Sequence, residues 1–425
     1  MKSLVLPVRR HQISFETSVH YQQTCQSCSS RDFFDVLDYG NQPLANSLEN
    51  TVRACIEYPL NLRICKNCNL GQLTHFVNPH IVFRQYKYLS STSSFWLDHC
   101  RTFANSVVRK LDLDSTSRVI EVASNDGYLL QYIKALGIQV LGIEPSSNVA
   151  EKAMAQGIPT LIEFFSLQIA KQVTPQYGKF KLIVANNVLA HVPDIRDFAA
   201  GLVELCDLDG VISIENPSLL NLLNFGQFDT VYHEHYSYLS LRSVSFLFET
   251  LGMEVFDVEK LNTHGGSLRY WIGHKGSNKI HPNVKHVLHQ ESCVDIEKSI
   301  LEFRQKVDTA LKEFRKWIHI TKSEGRRILG FGAAAKTTVL LNLLGNSANN
   351  IEYVIDSNKE KQGLYIPGVD IRIISPEKLR DFSSSEIVIF PWNLTSELID
   401  SIRRNSQHKH GIWTLYPNIA RVENE

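Results

Sequence analysis

The densest group of chemistry-bearing side chains in this 425-residue chain is Tyr232-His233-Glu234-His235-Tyr236, with Tyr238 and Ser240 just beyond. Imidazole and carboxylate groups in direct succession, between apolar runs, read as an active-site loop able to move protons near neutral pH. Two plainer readings stand beside it: a hydrated surface loop, and a metal site through His233 and His235. Upstream, Asn186-Asn187-Val-Leu-Ala-His191-Val-Pro-Asp194 follows an apolar strand, placing polar groups where open α/β sheets bind ligands. Downstream, Thr263-His264-Gly265-Gly266-Ser267 offers a glycine turn whose backbone N–H groups can approach an anion.

A second constellation is Glu121-Val-Ala-Ser124-Asn125-Asp126-Gly127-Tyr128, followed 23 residues after Glu121 by Glu144-Pro145. Glycine at a strand-to-helix turn permits close backbone approach to a ligand, and an acid at the end of the next strand can accept both ribose hydroxyls. That geometry serves a dinucleotide or S-adenosylmethionine. The three-glycine pyrophosphate fingerprint is missing, and Glu121 and Asp126 put negative charge where a pyrophosphate would sit. They suit a sulfonium or an α-amino group, which favours S-adenosylmethionine over NAD. An ordinary strand–helix turn with solvated acids is the bland alternative.

Cys25-Gln-Ser-Cys28 and Cys65-Lys-Asn-Cys68 are separated by 36 residues. Two Cys-x-x-Cys turns can close a tetrahedral thiolate site, and four thiolates leave no open position for water, so a structural rather than catalytic zinc is expected. A redox or incidental pairing is the alternative. Cys55, Cys100, Cys206 and Cys293 read as isolated buried thiols. Gly330-Phe-Gly332-Ala-Ala-Ala-Lys336 opens a late helix; small residues there permit a phosphate-bearing ligand to approach, with Lys336 adding charge, or simply allow tight packing.

These groups need a scaffold. Residues 1–20 carry no clear pattern and read as a short strand or loose arm, and the zinc unit runs from about residue 21 to 79. An aromatic stretch containing Tyr86, Tyr88, Phe95 and Trp96 bridges to a run of strands at 119–124, 139–144, 182–187 and 210–217, with helices between them such as 128–136. Repeated strand–helix units imply a parallel sheet covered on both faces. Residues 284–323 read as a connecting helix or helix pair. A second, smaller α/β unit follows from strands within 326–336, 353–356 and 386–393. The expected architecture is α/β with three domains: zinc-binding 1–80, a class I Rossmann-like methyl-donor domain 81–283, and a smaller Rossmann-like domain 284–425.

Composition sets bounds on partners. There are 44 Lys+Arg against 44 Asp+Glu, so no basic footprint for nucleic acid is present. No apolar run reaches the ~18 residues of a membrane span, and the apolar stretch within residues 1–10 is too short for a signal-peptide core. A cytoplasmic, monomeric protein is expected.

Taken together, CQSC and CKNC, EVASNDGYLLQY, GIEPSSNVAEKA, NNVLAHVPD, FDTVYHEHYSYLS, THGGSLRYW, GFGAAAKTTVLLN and FPWN resemble, in order and over nearly the whole chain, the zinc-containing S-adenosylmethionine-dependent sugar C-methyltransferases. These enzymes act on nucleotide-linked keto-deoxysugars. The resemblance implies a zinc domain, a middle domain holding the methyl donor, and a C-terminal domain anchoring the nucleotide sugar, with dTDP the expected nucleotide. It places polar active-site groups on His191, Tyr232, Glu234 and His235, and a tyrosine from the zinc-domain side on Tyr86 or, second, Tyr88. Donor contacts are expected from Glu121, Ser124, Asn125, Asp126, Gly127, Tyr128, Glu144, Pro145, Asn186 and Asn187. Sugar-nucleotide contacts are expected from His264, Gly265, Gly266, Ser267 and Lys336. Ile214-Glu215-Asn216-Pro217-Ser218 departs from the family's more aromatic or histidine-bearing turn, which bears on the sugar recognised.

Carbon methylation needs a carbanion equivalent, most mildly an enolate formed by removing a proton beside a ketone. His235 is the expected base, Glu234 its orienting carboxylate or a sugar-binding acid, and Tyr232 with His191 the donors to the oxygen. The rival classes are a methyltransferase of another small keto metabolite, an NAD-dependent oxidoreductase, a zinc-ribbon module or nucleic-acid methyltransferase, and a scaffold that binds without turnover.

Overall fold

The computed structural model describes residues 18–51, 55–83, 89–415 and 418–422. Near the start, strands Phe33–Pro43, Glu57–Cys65 and Gly71–Leu73 form an antiparallel sheet whose fourth strand, Ser237–Tyr238, arrives from far downstream. Gly71 makes that docking possible, because a Cβ there would lie 2.8 Å from the Cβ of Tyr238. The loop singled out by its imidazoles is thus stitched to the cysteine-bearing unit. At the end of the stretch read as a short strand or loose arm, Val19–Tyr21 is a strand paired with His75–Val77.

The central sheet has seven strands, ordered Met253–Leu261, Ser267–His274, Cys206–Pro217, Phe180–Asn186, Arg118–Val122, Gln139–Ile143 and Thr160–Leu161. The last five are parallel, as the strand–helix alternation predicts. Two strands the sequence reading did not include, Ser267–His274 and Met253–Leu261, run antiparallel at one edge. Their connection is a single short turn at Thr263–Gly265. A parallel crossover needs about a dozen residues or more, so this hairpin has only the antiparallel solution. Chain direction across the sheet reverses beside Arg118–Val122, where open α/β sheets leave a crevice at their carboxyl ends.

The charged stretch read as a helix or helix pair is a pair, Pro282–Ser292 and Ile296–Ser323. The longer helix begins at Asp295, whose side chain accepts the Lys298 N–H, and buries Ile296, Ile300, Phe303, Val307, Leu311, Phe314 and Ile318. Spacings of three and four put these on one stripe. The stripe packs against the N-terminal sheet and the C-terminal core together. The final sheet orders Arg372–Ile374, Ile351–Ile355, Ile328–Phe331, Glu386–Ile389 and Gly411–Thr414 in parallel, with Ala420–Arg421 antiparallel at its edge. Its direction reverses beside Ile328–Phe331, giving a second crevice. Among the described residues no helix is long and apolar enough to cross a membrane.

Candidate active site

The two crevices open into one cavity of about 810 Å³, walled by the central sheet's carboxyl edge, the imidazole loop and the C-terminal sheet's carboxyl edge. On the first side, the turn after Arg118–Val122 is wound through left-handed conformations at Ala123 (φ 58°), Asn125 (φ 48°) and Gly127 (φ 79°). Glu144 holds the turn by accepting the N–H groups of Asn125 at 3.1 Å and Ser146 at 2.9 Å. Burial raises its pKa, and it lies on the cavity wall. Each of its oxygens keeps a further acceptor site for a ribose hydroxyl.

Of the expected donor contacts, Asn125, Tyr128, Glu144, Pro145, Asn186 and Asn187 line the cavity, while Glu121, Ser124, Asp126 and Gly127 lie behind it. Glu121 is wholly buried in its strand, and burial pushes its carboxyl well above the usual range despite the Tyr128 hydroxyl. Asp126 braces the approaching chain at Ser90–Thr92: Oδ2 accepts the Ser91 N–H at 3.3 Å and hydroxyl at 2.5 Å, Oδ1 has no partner among the described residues, and beside it Asn125 Oδ1 accepts the Ser90 N–H at 2.9 Å. Neither Glu121 nor Asp126 reaches the cavity wall. Ser124 fills the space left by Gly142, and Gly127 packs toward Ile158.

In the imidazole loop, neighbouring side chains have separate destinations. His235 Nδ1 lies 2.9 Å from the Thr230 carbonyl, and its Nε2 lies 2.9 Å from the Tyr232 hydroxyl. A carbonyl only accepts, so Nδ1 carries the proton and the Nε2 lone pair accepts the Tyr232 O–H. Burial, then His191, pulls the His235 pKa well below its ordinary value, so the ring is neutral at neutral pH. His191 stands perpendicular to it with ring centres 4.6 Å apart. Burial lowers the His191 pKa to about 4, and its Nδ1 has no partner among the described residues. His191, Tyr232, Glu234 and His235 all line the cavity.

Glu234 does not orient His235; the Thr230 carbonyl does. The Glu234 carboxyl instead accepts the Asn46 amide at 2.5 Å, and burial raises its pKa to about 7. His233 is 1% exposed and donates from Nε2 to the Tyr58 carbonyl at 3.2 Å. His233 and His235 are thus turned to different places, and among the described residues the only cluster suited to a metal is the four cysteines. Tyr86 and Tyr88 lie outside the described residues.

His264, left-handed at φ 51°, reaches the wall and accepts the Asn187 amide N–H on Nε2 at 3.3 Å. Gly265, Gly266 and Ser267 do not. The Gly266 N–H donates to Thr263 at 2.9 Å, the Ser267 hydroxyl donates to the same carbonyl at 3.0 Å, and the Gly265 carbonyl accepts from Gln227 at 2.7 Å. These polar groups are engaged within the hairpin and by Gln227. Behind it, Glu215 is held by His99 at 2.9 Å, Thr263 at 2.8 Å and Arg269 at 2.6 Å. Burial alone would raise the Glu215 pKa; His99 and Arg269 override it and hold the carboxyl at about 2.

Across the cavity, Lys336 donates to Asn393 at 2.9 Å and sits 4.3 Å above the Trp392 ring, whose N–H donates to Asp229 at 2.9 Å. Burial lowers the Lys336 pKa, with Asp229 opposing. Gly332 packs against Pro391, where a Cβ would come within 2.3 Å. Asp356, at the end of Ile351–Ile355, accepts the N–H groups of Ala333 at 2.7 Å and Asn358 at 2.8 Å. It repeats on this sheet what Glu144 does on the other. Asp356, Asn358, Lys361 and Asn46 all line the cavity and were missed in the sequence. Asp356 had a signal, an acid ending the strand after a glycine turn. Asn46 had none.

The cysteine sulfurs of Cys25, Cys28, Cys65 and Cys68 all lie within 4.8 Å of one another, with Cys25–Cys68 at 3.5 Å and Cys28–Cys65 at 3.4 Å. Sulfurs ~2.3 Å from a tetrahedral zinc fall at such separations, so the set fits that ion. Of the other cysteines, Cys100 and Cys206 are buried as expected, whereas Cys55 is half-buried and Cys293 exposed.

Three segments of the chain match described protein families. Residues 25–83 match the family described as "Putative zinc binding domain", residues 96–258 "Methyltransferase domain", and residues 262–416 "C-methyltransferase C-terminal domain". C-methyltransferase NovU of Streptomyces niveus is 30% identical over 383 residues, covering 89% of this chain and 91% of its own. A ubiquinone biosynthesis O-methyltransferase of Rhodopseudomonas palustris is 27% identical over 117 residues, 27% of this chain and 45% of its own. Among solved structures, magnesium protoporphyrin IX methyltransferase from Synechocystis with bound SAM superposes at TM-score 0.33 and 15% identity, over 43% of this chain and 82% of its own.

Proposed function

The chain belongs to the C-methyltransferase family and is an S-adenosylmethionine-dependent methyltransferase, and from that premise we propose that it methylates carbon in a nucleotide-linked keto-deoxysugar, with His235 as the base. The observation that carries the proposal is a neutral imidazole whose basic nitrogen is aimed by its neighbours in a cavity flanked by two nucleotide-type crevices.

The donor crevice fits S-adenosylmethionine: Glu144 is available for the ribose, and the buried Asn186 oxygen lacks a partner among the described residues. When bound there, S-adenosylmethionine supplies an electrophilic methyl carbon. The chain's own task is to make the acceptor carbon nucleophilic. His235 Nε2 takes the proton beside the ketone and becomes imidazolium, keeping its Nδ1–H on the Thr230 carbonyl. Tyr232, released from Nε2, and His191 donate to the ketone oxygen as it gains charge. Once the carbon is alkylated the ketone is restored, and the imidazolium returns its proton to solvent.

A raised Glu234 pKa suits a protonated carboxyl that hydrogen-bonds a sugar oxygen, held in place by Asn46. Lys336, Lys361 and Asp356 are assigned to the nucleotide, as charge partners and ribose acceptor. Residues 1–80, 81–283 and 284–425 are assigned as zinc, donor and nucleotide-sugar units. The strand Ser237–Tyr238 crosses from the second to complete the first. Thiolate zinc is compatible with a reducing cytoplasm, and the chain is taken to act there as a monomer.

Incubation with methyl-labelled donor and a panel of nucleotide-linked keto-deoxysugars tests the proposal. Label on a ring carbon next to the ketone is expected. Label on oxygen or nitrogen, or transfer only to unrelated ketones, overturns it.

A further inference from the structure

Asn216 is the one wall residue here whose side chain is dry and whose two amide atoms, Oδ1 and Nδ2, both lack a partner among the described residues; it is 1% exposed. A buried amide left unpaired is unfavourable, so such a group signals a ligand that supplies both a donor and an acceptor. Because both atoms are unpaired, exchanging oxygen and nitrogen in the amide changes nothing.

The fold holds Asn216 in position. Its backbone pairs with Leu268 across the sheet, and the preceding residue, Glu215, is locked by His99, Thr263 and Arg269. Successive strand residues point to opposite faces, so the ionic clamp behind the sheet sets the amide in front. The strand Cys206–Pro217 lies three steps from Gln139–Ile143, the strand that presents Glu144. At ~4.8 Å per step that is roughly 14 Å, beyond the donor's ribose and on the side of the imidazole loop. The Leu219 N–H just past it bonds to Leu239, linking the strand end to that loop.

We infer that Asn216 reads the acceptor: its amide pairs with a hydroxyl on the carbon next to the reacting ketone and with the oxygen adjacent to that hydroxyl, selecting sugars that carry this pair. The inference rests on the acceptor class proposed above. Asn216 is a binding residue in it, with no part in proton transfer.

The test compares wild type, Asn216→Ala and the isosteric Asn216→Asp on keto-deoxysugar nucleotides that do or do not carry a hydroxyl beside the ketone, with donor binding followed by calorimetry. Wild type is expected to prefer the hydroxylated acceptor by about tenfold or more in kcat/KM. Asn216→Ala loses that preference through KM, with kcat and donor affinity within about twofold of wild type. Asn216→Asp, which keeps an acceptor and lacks the donor, falls between. Undiminished preference in Asn216→Ala, or weakened donor binding in either variant, overturns the inference while leaving the acceptor class intact. Failure of the wild type itself to methylate any member of the panel overturns the acceptor class, and this inference with it.

Discussion

The two cysteine knuckles and the imidazole loop are built by opposite means. Each knuckle repeats one local device: the residue after the second cysteine, Ser29 or Asn69, is left-handed (φ 60° and 58°) and donates its N–H to the first cysteine's carbonyl, at 2.9 and 3.0 Å. Residues 232–236 have no such rule. His233 goes to Tyr58, Glu234 to Asn46, His235 to Thr230 and Tyr232, and Tyr236 donates its hydroxyl to Val77 at 2.6 Å. A knuckle's geometry is contained in a few residues, whereas in the loop only His235 is set locally, by Thr230 and Tyr232, and His233, Glu234 and Tyr236 are placed by chain far away. The distant partners Asn46, Tyr58 and Val77 all come from the cysteine-bearing unit, so the metal-binding unit serves as the mould for this loop.

Breaking the mould is expected to have the largest effect. The four thiolates should bind about one zinc per chain, and a structural zinc stabilises a small unit by an amount on the order of 10 kcal/mol. Cys28→Ser or strong chelation should yield unfolded or aggregated protein, with whatever folds retaining chemistry in proportion. Metal analysis and circular dichroism check this; a soluble, fully active apo-protein would remove the structural role.

Second in size is the clamp beneath the other wall. Arg269→Met leaves Glu215 buried without its ionic partner, a loss of about 3–5 kcal/mol, measurable by urea unfolding. The Glu215 pKa is lowered from 4.5 to about 2 on folding, so its stabilisation is present above pH 4.5 and is lost as pH falls toward 2. Stability of the Arg269→Met variant should therefore fall less steeply across that acid window than wild type. An equally steep fall would mean that the arginine is not what holds Glu215 down.

Glu144→Ala should weaken S-adenosylmethionine binding by roughly 1–3 kcal/mol, read by calorimetry, because it removes the ribose acceptor and the brace on the Asn125 turn. NAD binding in its place would contradict the donor assignment. The smallest effect sharpens the contrast within the loop. His233→Asn loses a bond to a main-chain carbonyl and should cost about 1 kcal/mol in a thermal melt, with turnover per folded molecule within twofold of wild type. A hundredfold loss there would return His233 to the chemistry.

This contrast also accounts for what the sequence could disclose. The zinc ligands, the two α/β sheets and the helix pair rest on local spacing and periodicity, and were legible in Cys25-Gln-Ser-Cys28, in the strand–helix alternation and in the stripe from Ile296 to Ile318. The antiparallel hairpin at 253–274 was not, since its strands carry no helix between them and belong to a sheet otherwise built by crossovers. At the site, motif position identified His191, Tyr232, Glu234 and His235 as wall residues but misjudged partners. Asp126 meets Ser91 and Glu234 meets Asn46, contacts decided by tertiary packing, whereas the Gly266 N–H closes a local turn on Thr263. Asn46 sits in an N-terminal loop with no motif, brought to the cavity by packing in which Asn46 meets Glu234 and the neighbouring Ala45 carbonyl accepts the Thr338 hydroxyl at 2.8 Å.

The central claim is that His235 removes the proton beside the ketone, and solvent deuterium exchange at that carbon tests it without requiring methyl transfer. With a non-transferring donor analogue bound, wild type should exchange the substrate proton, while His235→Asn should bind both ligands normally and exchange ~10²-fold more slowly or worse. His191→Asn should still exchange. Undiminished exchange in His235→Asn would contradict the account and move the base elsewhere, to His191 first.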